Sequence, residues 1–206
     1  MYNIENLFPT KIYRTTYPGI EELKSKLFPK LENHFNPDKA HVLMSEECIT
    51  TYNENRQVNT WPEVQNLIKF LNIHIKNYWN ELNYHPELEP YIIEMWANKS
   101  TAGGWIYHHT HTPNPIVGTC YLSVSPEQGN LFFQDPLEMV KSSQPCNIDQ
   151  FNEFEQEVPL SAGDVILFPG YLRHRTYPNK SNDSRIVLSF NIGCSGTYIT
   201  NQWITK

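Results

Sequence analysis

His109 and His111, in Tyr107-His108-His109-Thr110-His111, and His174, after Phe168-Pro169-Gly170-Tyr171-Leu172, are the residues whose type and spacing suit metal chemistry. Side chains two apart on an extended chain point the same way, so His109 and His111 share a face while His108 and Thr110 look away. Imidazole suits Fe, Cu, Ni and Zn. A third ligand from a distant strand leaves coordination positions open, which is the arrangement of a catalytic metal and not of a structural one. His34, His41, His74 and His85 are isolated in the sequence and read as surface or core residues.

Two regimes of periodicity must position these residues. In 1–89 the pattern is a strand followed by helices. Val64, Leu67, Ile68, Leu71, Ile75, Trp79 and Leu82 recur at three- and four-residue steps, which predicts a helix whose apolar stripe packs on a sheet. Thr60 is the expected cap and Pro62 the expected first-turn residue. A second helix is expected from Glu21 to His34, broken at Pro29. In 90–206 the period becomes that of strands: 91–96, 105–111, 116–124, 130–134, 165–168, 174–177 and 185–192. Gly103-Gly104, Pro126-Glu127-Gln128-Gly129 and Ala162-Gly163-Asp164 punctuate them. Many short strands in so few residues suggest a sandwich or jelly roll, and together the two parts make one compact domain. The polar stretch 136–157 is long for a hairpin connection and is expected to be a lid.

Composition narrows the function classes. With 39% hydrophobic residues, 13% aromatics and a formal net charge of -6, the chain has no basic field for nucleic acid. Met1 to Tyr13 lacks the apolar run of a signal peptide, and no segment approaches a membrane span. Cys48, Cys120, Cys146 and Cys194 are too far apart for a metal-binding pair, so reduced thiols and a cytoplasmic location are expected. The partner expected is a small molecule or peptide, with a homodimer compatible with this reading.

The spacings are specific. Gly103 lies six residues before His109, Gly163 six before Pro169, and His174 five after Pro169, spacings shared with the two metal-binding motifs of cupin-type barrels. Gly163-Asp164-Val165-Ile166-Leu167-Phe168-Pro169-Gly170-Tyr171-Leu172-Arg173-His174, followed by Arg185-Ile186-Val187-Leu188-Ser189-Phe190-Asn191, resembles the C-terminal half of the Fe(II)/2-oxoglutarate-dependent oxygenases. Gly118-Thr119-Cys120-Tyr121-Leu122 and 129–136 resemble the prolyl-hydroxylase-like branch. Leu7-Phe8-Pro9-Thr10-Lys11-Ile12-Tyr13 and Trp96-Ala97-Asn98 resemble a group of such oxygenases found in marine bacteria and phages. The resemblance implies a mostly β fold with N-terminal helices, a double-stranded β-helix of cupin-like jelly-roll type. It implies Fe(II), 2-oxoglutarate and O2 as cofactors and hydroxylation of a peptide, amino acid or small metabolite as the reaction. It also implies that Arg185 binds the far carboxylate of 2-oxoglutarate and that Tyr121 makes a second contact to it. Ser189 and Asn191 share the strand face of Arg185 and are expected to line the pocket.

The chain departs from the family pattern at one ligand. Where H-x-D/E normally begins a triad of two histidines and one carboxylate, this sequence has His111. Three readings remain open: His109, His111 and His174 hold the metal; Asp135, at the end of the 130–134 strand, supplies the carboxylate; or the triad is degenerate and the protein inactive. Beyond these stand a three-histidine enzyme that does not use 2-oxoglutarate and a non-enzymatic scaffold or phage structural protein. Trp105, Tyr107, Phe133 and Tyr171 are the aromatics expected near the mouth, and Arg173 and Arg175 are expected to point into solvent or toward an acidic substrate.

Overall fold

A computed structural model describes residues 3, 8–36, 41–141, 143 and 154–196. Its elements run β1 (Tyr13–Thr16), α1 (Ile20–Glu32), β2 (Cys48–Thr50), α2 (Gln65–Glu81), β3 (Glu89–Ser100), β4 (Ile116–Ser123), β5 (Leu131–Gln134), α3 (Glu138–Lys141), β6 (Glu155–Val158), β7 (Asp164–Pro169), β8 (His174–Thr176) and β9 (Arg185–Ser195). The strands form a six-stranded sheet in the order β1-β7-β4-β9-β3-β2 and a three-stranded sheet in the order β6-β5-β8. All pairings between named strands are antiparallel. Two such sheets face to face make the expected double-stranded β-helix.

Strand alternation divides the large sheet between two cores. Ile186, Leu188, Phe190 and Ile192 of β9, with Ile116, Cys120 and Leu122 of β4, pack against Leu23, Leu27 and Leu31 of α1 and Leu67, Leu71 and Ile75 of α2. Burying each such aliphatic side chain contributes about 1.5–3 kcal/mol. Val117, Tyr121 and Val187, one residue out of phase, face the small sheet and meet Leu131, Phe133 and Val158. Both faces are covered, so β4, β7 and β9 are buried along almost their whole length. The out-of-phase positions 119, 185, 189 and 191 are polar, and that is where the cleft opens.

Four local expectations are corrected. Pro29 does not break α1, because it lies near the C-terminal end and the Leu23/Leu27/Leu31 face holds the helix together despite the missing amide donor. Thr60 does not cap α2: its Oγ1 donates to Gln57 O at 2.7 Å. Short 3-10 turns at Val58–Thr60 and Pro62–Val64 delay the helix until Gln65, with Pro62 in the first turn of the second. The stretch 105–111 is no strand but a loop touching its neighbours through isolated bridges, Met44 with Ile106 and His109 with His174. Of 136–157, α3 and the start of β6 are described, while 142 and 144–153, where the lid was expected, lie outside the described residues. No helix among the described residues is long and apolar enough to cross a membrane.

Candidate metal centre

The polar phase of β9, β4 and β3 floors a cleft of about 310 Å³, to which β3 contributes Glu94, Trp96 and Asn98, β4 Thr119 and Tyr121, and β9 Arg185, Ser189 and Asn191. Over this floor the 109–111 loop meets the first residue of β8. His109 and His174 exchange both backbone hydrogen bonds, at 3.0 and 3.1 Å, so the loop copies strand geometry for that one pair. His111 is fixed by its amide, which donates to Gly170 O at 2.8 Å.

The three imidazoles converge. Ring centroids are 4.9 Å apart for His109 and His111, 4.2 Å for His109 and His174, and 5.2 Å for His111 and His174. One ligand nitrogen from each ring lies within 4.8 Å of the other two, and no other group of His, Cys, Asp and Glu among the described residues is so arranged. Each Nδ1 faces an oxygen acceptor: Tyr107 O at 2.7 Å for His109, Leu172 O at 2.9 Å for His174, and Asn191 Oδ1 at 2.9 Å for His111. The proton therefore resides on Nδ1, and each Nε2 keeps its lone pair for a metal. Burial disfavours the imidazolium, holding His174 well below its ordinary value, lowering His109, and bringing His111 down to about 4. Three neutral nitrogen donors at neutral pH suit a borderline divalent cation.

Arg185 is 1% exposed. Its Nη1 donates to the carbonyls of Gln128, Gly129 and Tyr177, and its Nη2 to Thr176 Oγ1 at 2.9 Å and Ser100 Oγ at 3.3 Å. These acceptors are all neutral, and among the described residues no carboxylate pairs with it. A buried cation without a counter-charge is costly, and an anion entering the cleft would relieve it. Burial likewise pushes the Tyr121 phenol up to about 12, which leaves it a neutral donor. Thr119 Oγ1 is buried beside the Tyr121 hydroxyl and has no other hydrogen-bond partner. Ser189 Oγ accepts from Asn98 Nδ2 at 3.1 Å. The floor thus has spare hydrogen-bonding capacity beside a positive charge, which fits a carboxylate.

Other candidates lie elsewhere. Asp135 pairs with Lys141 and accepts from the Leu137 amide at 2.8 Å, so its carboxylate caps the turn into α3 and stands outside the histidine cluster. Trp105, Tyr107, Phe133 and Tyr171 do not line the cleft. Phe133 packs on Phe168 in the core, and Tyr171 sits beside a different groove. The cleft's aromatic walls are Tyr52 and Trp96, edge-on at 5.0 Å, with His41 against Tyr52. Arg175 faces neither solvent nor substrate: it forms a bidentate pair with Glu155 at 2.9 and 2.5 Å and lies over Tyr177. Sequence reading missed Thr119, Asn98 and Glu94; strand parity with Tyr121 and with Trp96 was the available signal.

Residues 94–191 match the family model described as "Putative 2OG-Fe(II) oxygenase". This segment belongs to the 2OG-Fe(II) oxygenase family. The oxygenase segment takes in every cleft-floor residue from Glu94 to Asn191 and all three clustered histidines. No curated protein matches the sequence significantly. Among solved structures, the chain is similar to a Pseudomonas putida prolyl-4-hydroxylase, with a TM-score of 0.61 at 12% identity over 89% of this chain and 92% of that one. HygX from Streptomyces hygroscopicus, with nickel and 2-oxoglutarate bound, gives 0.59 at 15% identity over 89% and 83%. The carbocyclase SnoK of nogalamycin biosynthesis gives 0.61 at 13% over 89% and 79%. At these identities the likeness is one of fold, and it agrees with the oxygenase family's double-stranded β-helix.

Proposed function

We propose that this oxygenase is a hydroxylase in which His109, His111 and His174 hold Fe(II) and the Thr119, Tyr121 and Arg185 end of the cleft takes the far carboxylate of 2-oxoglutarate. The observation that carries this reading is the convergence of one nitrogen from each of three imidazoles in a cleft whose floor also carries a buried, uncompensated guanidinium. Arg185 is pre-positioned by five neutral acceptors, so it meets a carboxylate without being ordered at the moment of binding. Thr119 and Tyr121 add hydroxyl donors, and Ser189 and Asn191 line the floor between that end and the histidines. When bound, Fe(II) and 2-oxoglutarate use O2 to place one oxygen atom on a substrate C–H bond, the keto acid leaving as succinate and CO2. The protein orients both molecules and keeps water from the reacting centre.

A cleft of about 310 Å³ accommodates the keto acid and one group of a substrate, with Tyr52 and Trp96 flanking the remainder. A peptide, amino acid or small metabolite fits this geometry, and HygX, which shares the fold, has been solved with hygromycin B. The test is anaerobic titration with Fe(II) and 2-oxoglutarate. Bidentate chelation of the keto acid gives a visible charge-transfer band, expected in the wild type and weakened or lost in Arg185→Ala. Tight metal binding with no band in the wild type would overturn the use of 2-oxoglutarate, and no metal binding would overturn the centre itself.

A further inference from the structure

Glu94 has no place in the proposed chemistry, yet it lines the cleft with its side chain only 17% exposed. Its Oε1 accepts from Asn191 Nδ2 at 2.7 Å, and Asn191 Oδ1 faces His111 Nδ1 at 2.9 Å. Its Oε2 lies 3.4 Å from Arg56 Nη1 at the cleft edge. An amide between a carboxylate and an imidazole has one good orientation. A carboxylate only accepts, so the amide nitrogen must face Glu94, the amide oxygen must face the ring, and the ring must offer an N–H there. Turning the amide over would set two oxygens against each other.

We infer that Glu94, acting through Asn191, sets the tautomer of His111 and supplies from one residue further out the negative charge that His111, standing where the family has a carboxylate, does not bring to the metal. The other two histidines need no such device, because backbone carbonyls, which also only accept, fix their Nδ1 protons. The inference rests on the proposed metal reading for its charge component, but the tautomer component is a property of the metal-free protein. Glu94 is a positioning residue: it makes no contact with the histidine cluster except through Asn191. Outer partners of this kind change metal affinity by about 10- to 100-fold.

The experiment compares the wild type with Glu94→Gln and Asn191→Leu, with the apoprotein melting temperature confirming that each variant folds. Imidazole 15N shifts in the metal-free protein near neutral pH report the tautomer directly. Competition with a chromophoric chelator reports Fe(II) affinity. Wild-type His111 is expected as the Nδ1–H form. Glu94→Gln, which preserves shape but can present either N–H or O to Asn191, should give a mixture of tautomers and about tenfold weaker Fe(II) binding. Asn191→Leu should lose at least as much. Wild-type tautomer and affinity in both variants would overturn the inference. A shifted tautomer in a protein whose wild type binds no Fe(II) would sustain the role of Glu94 and overturn the metal centre.

Discussion

Arg185 makes the sharpest demand of any single side chain, because its donors must satisfy five neutral acceptors while leaving charge for a ligand. Lysine has three donors on one tetrahedral nitrogen and cannot reproduce the planar fork. Arg185→Lys is therefore expected to lower stability by about 2 kcal/mol through unpaired buried carbonyls and hydroxyls. It should also weaken 2-oxoglutarate binding at least tenfold, as measured by calorimetry on the Fe(II)-loaded protein. A variant with wild-type affinity would remove Arg185 from the cosubstrate site. Its recognition from sequence rested on family resemblance and on its place ahead of an apolar run. That Thr119 completes the same end of the cleft was marked only by its strand parity with Tyr121, since a threonine within a β-rich run is ordinary.

Two elements carry the site into position, and each can be disturbed separately. A Cβ on Gly170, in the turn between β7 and β8, would lie 2.0 Å from Asn114 O, and the Gly170 carbonyl accepts from the His111 amide. Gly170→Ala should push the 109–114 loop outward, lowering the melting temperature and weakening Fe(II) binding together; a loss of stability alone would show that the loop reaches the metal by other supports. On the small sheet, Glu155 of β6 binds Arg175 of β8 and accepts from His108 Nε2 at 2.6 Å, tying both histidine-bearing segments to one carboxylate. Its pKa lies below the ordinary 4.5, first because of the Arg175 hydrogen bonds and next, against the opposing effect of burial, because of His108. A depressed folded pKa means stability that is complete above the unfolded value and lost as pH falls through the folded one. Glu155→Gln should thus cost about 1–2 kcal/mol near pH 7. The gap between the two melting curves should close as the pH drops below 4.5. A gap that is constant with pH would place the effect in packing and not in charge.

At the scale of the whole molecule, the large sheet that floors the cleft lies between two cores that do not depend on a ligand, the helices packing on one face and the small sheet on the other. The apoprotein should therefore fold, and ligands should add to its stability by mass action. At one hundred times the dissociation constant a single ligand contributes about 2.7 kcal/mol, a rise of about 5–10 °C in melting temperature for a chain of this size. Fe(II) with 2-oxoglutarate should raise the transition more than Fe(II) alone, and a chelator should reverse both shifts. Equal shifts with and without the keto acid would argue against its binding in the cleft.

What the sequence determined by itself was local. Alternation along 185–192 put Ser189 and Asn191 on the face of Arg185, the three- and four-residue steps from Val64 gave α2, and the histidine types and spacing gave the metal chemistry. Each follows from periods of two or 3.6 residues, which a short window contains in full. Tertiary structure decided what depends on partners distant in sequence. His111 meets Asn191 across 80 positions, and Asn191 meets Glu94 across 97. Asp135 turned to Lys141, and 105–111 lined up its histidines by one pair of hydrogen bonds with His174 instead of a full ladder. Orientation and protonation of a ligand are set by whatever group packs behind it, and no local period encodes that neighbour.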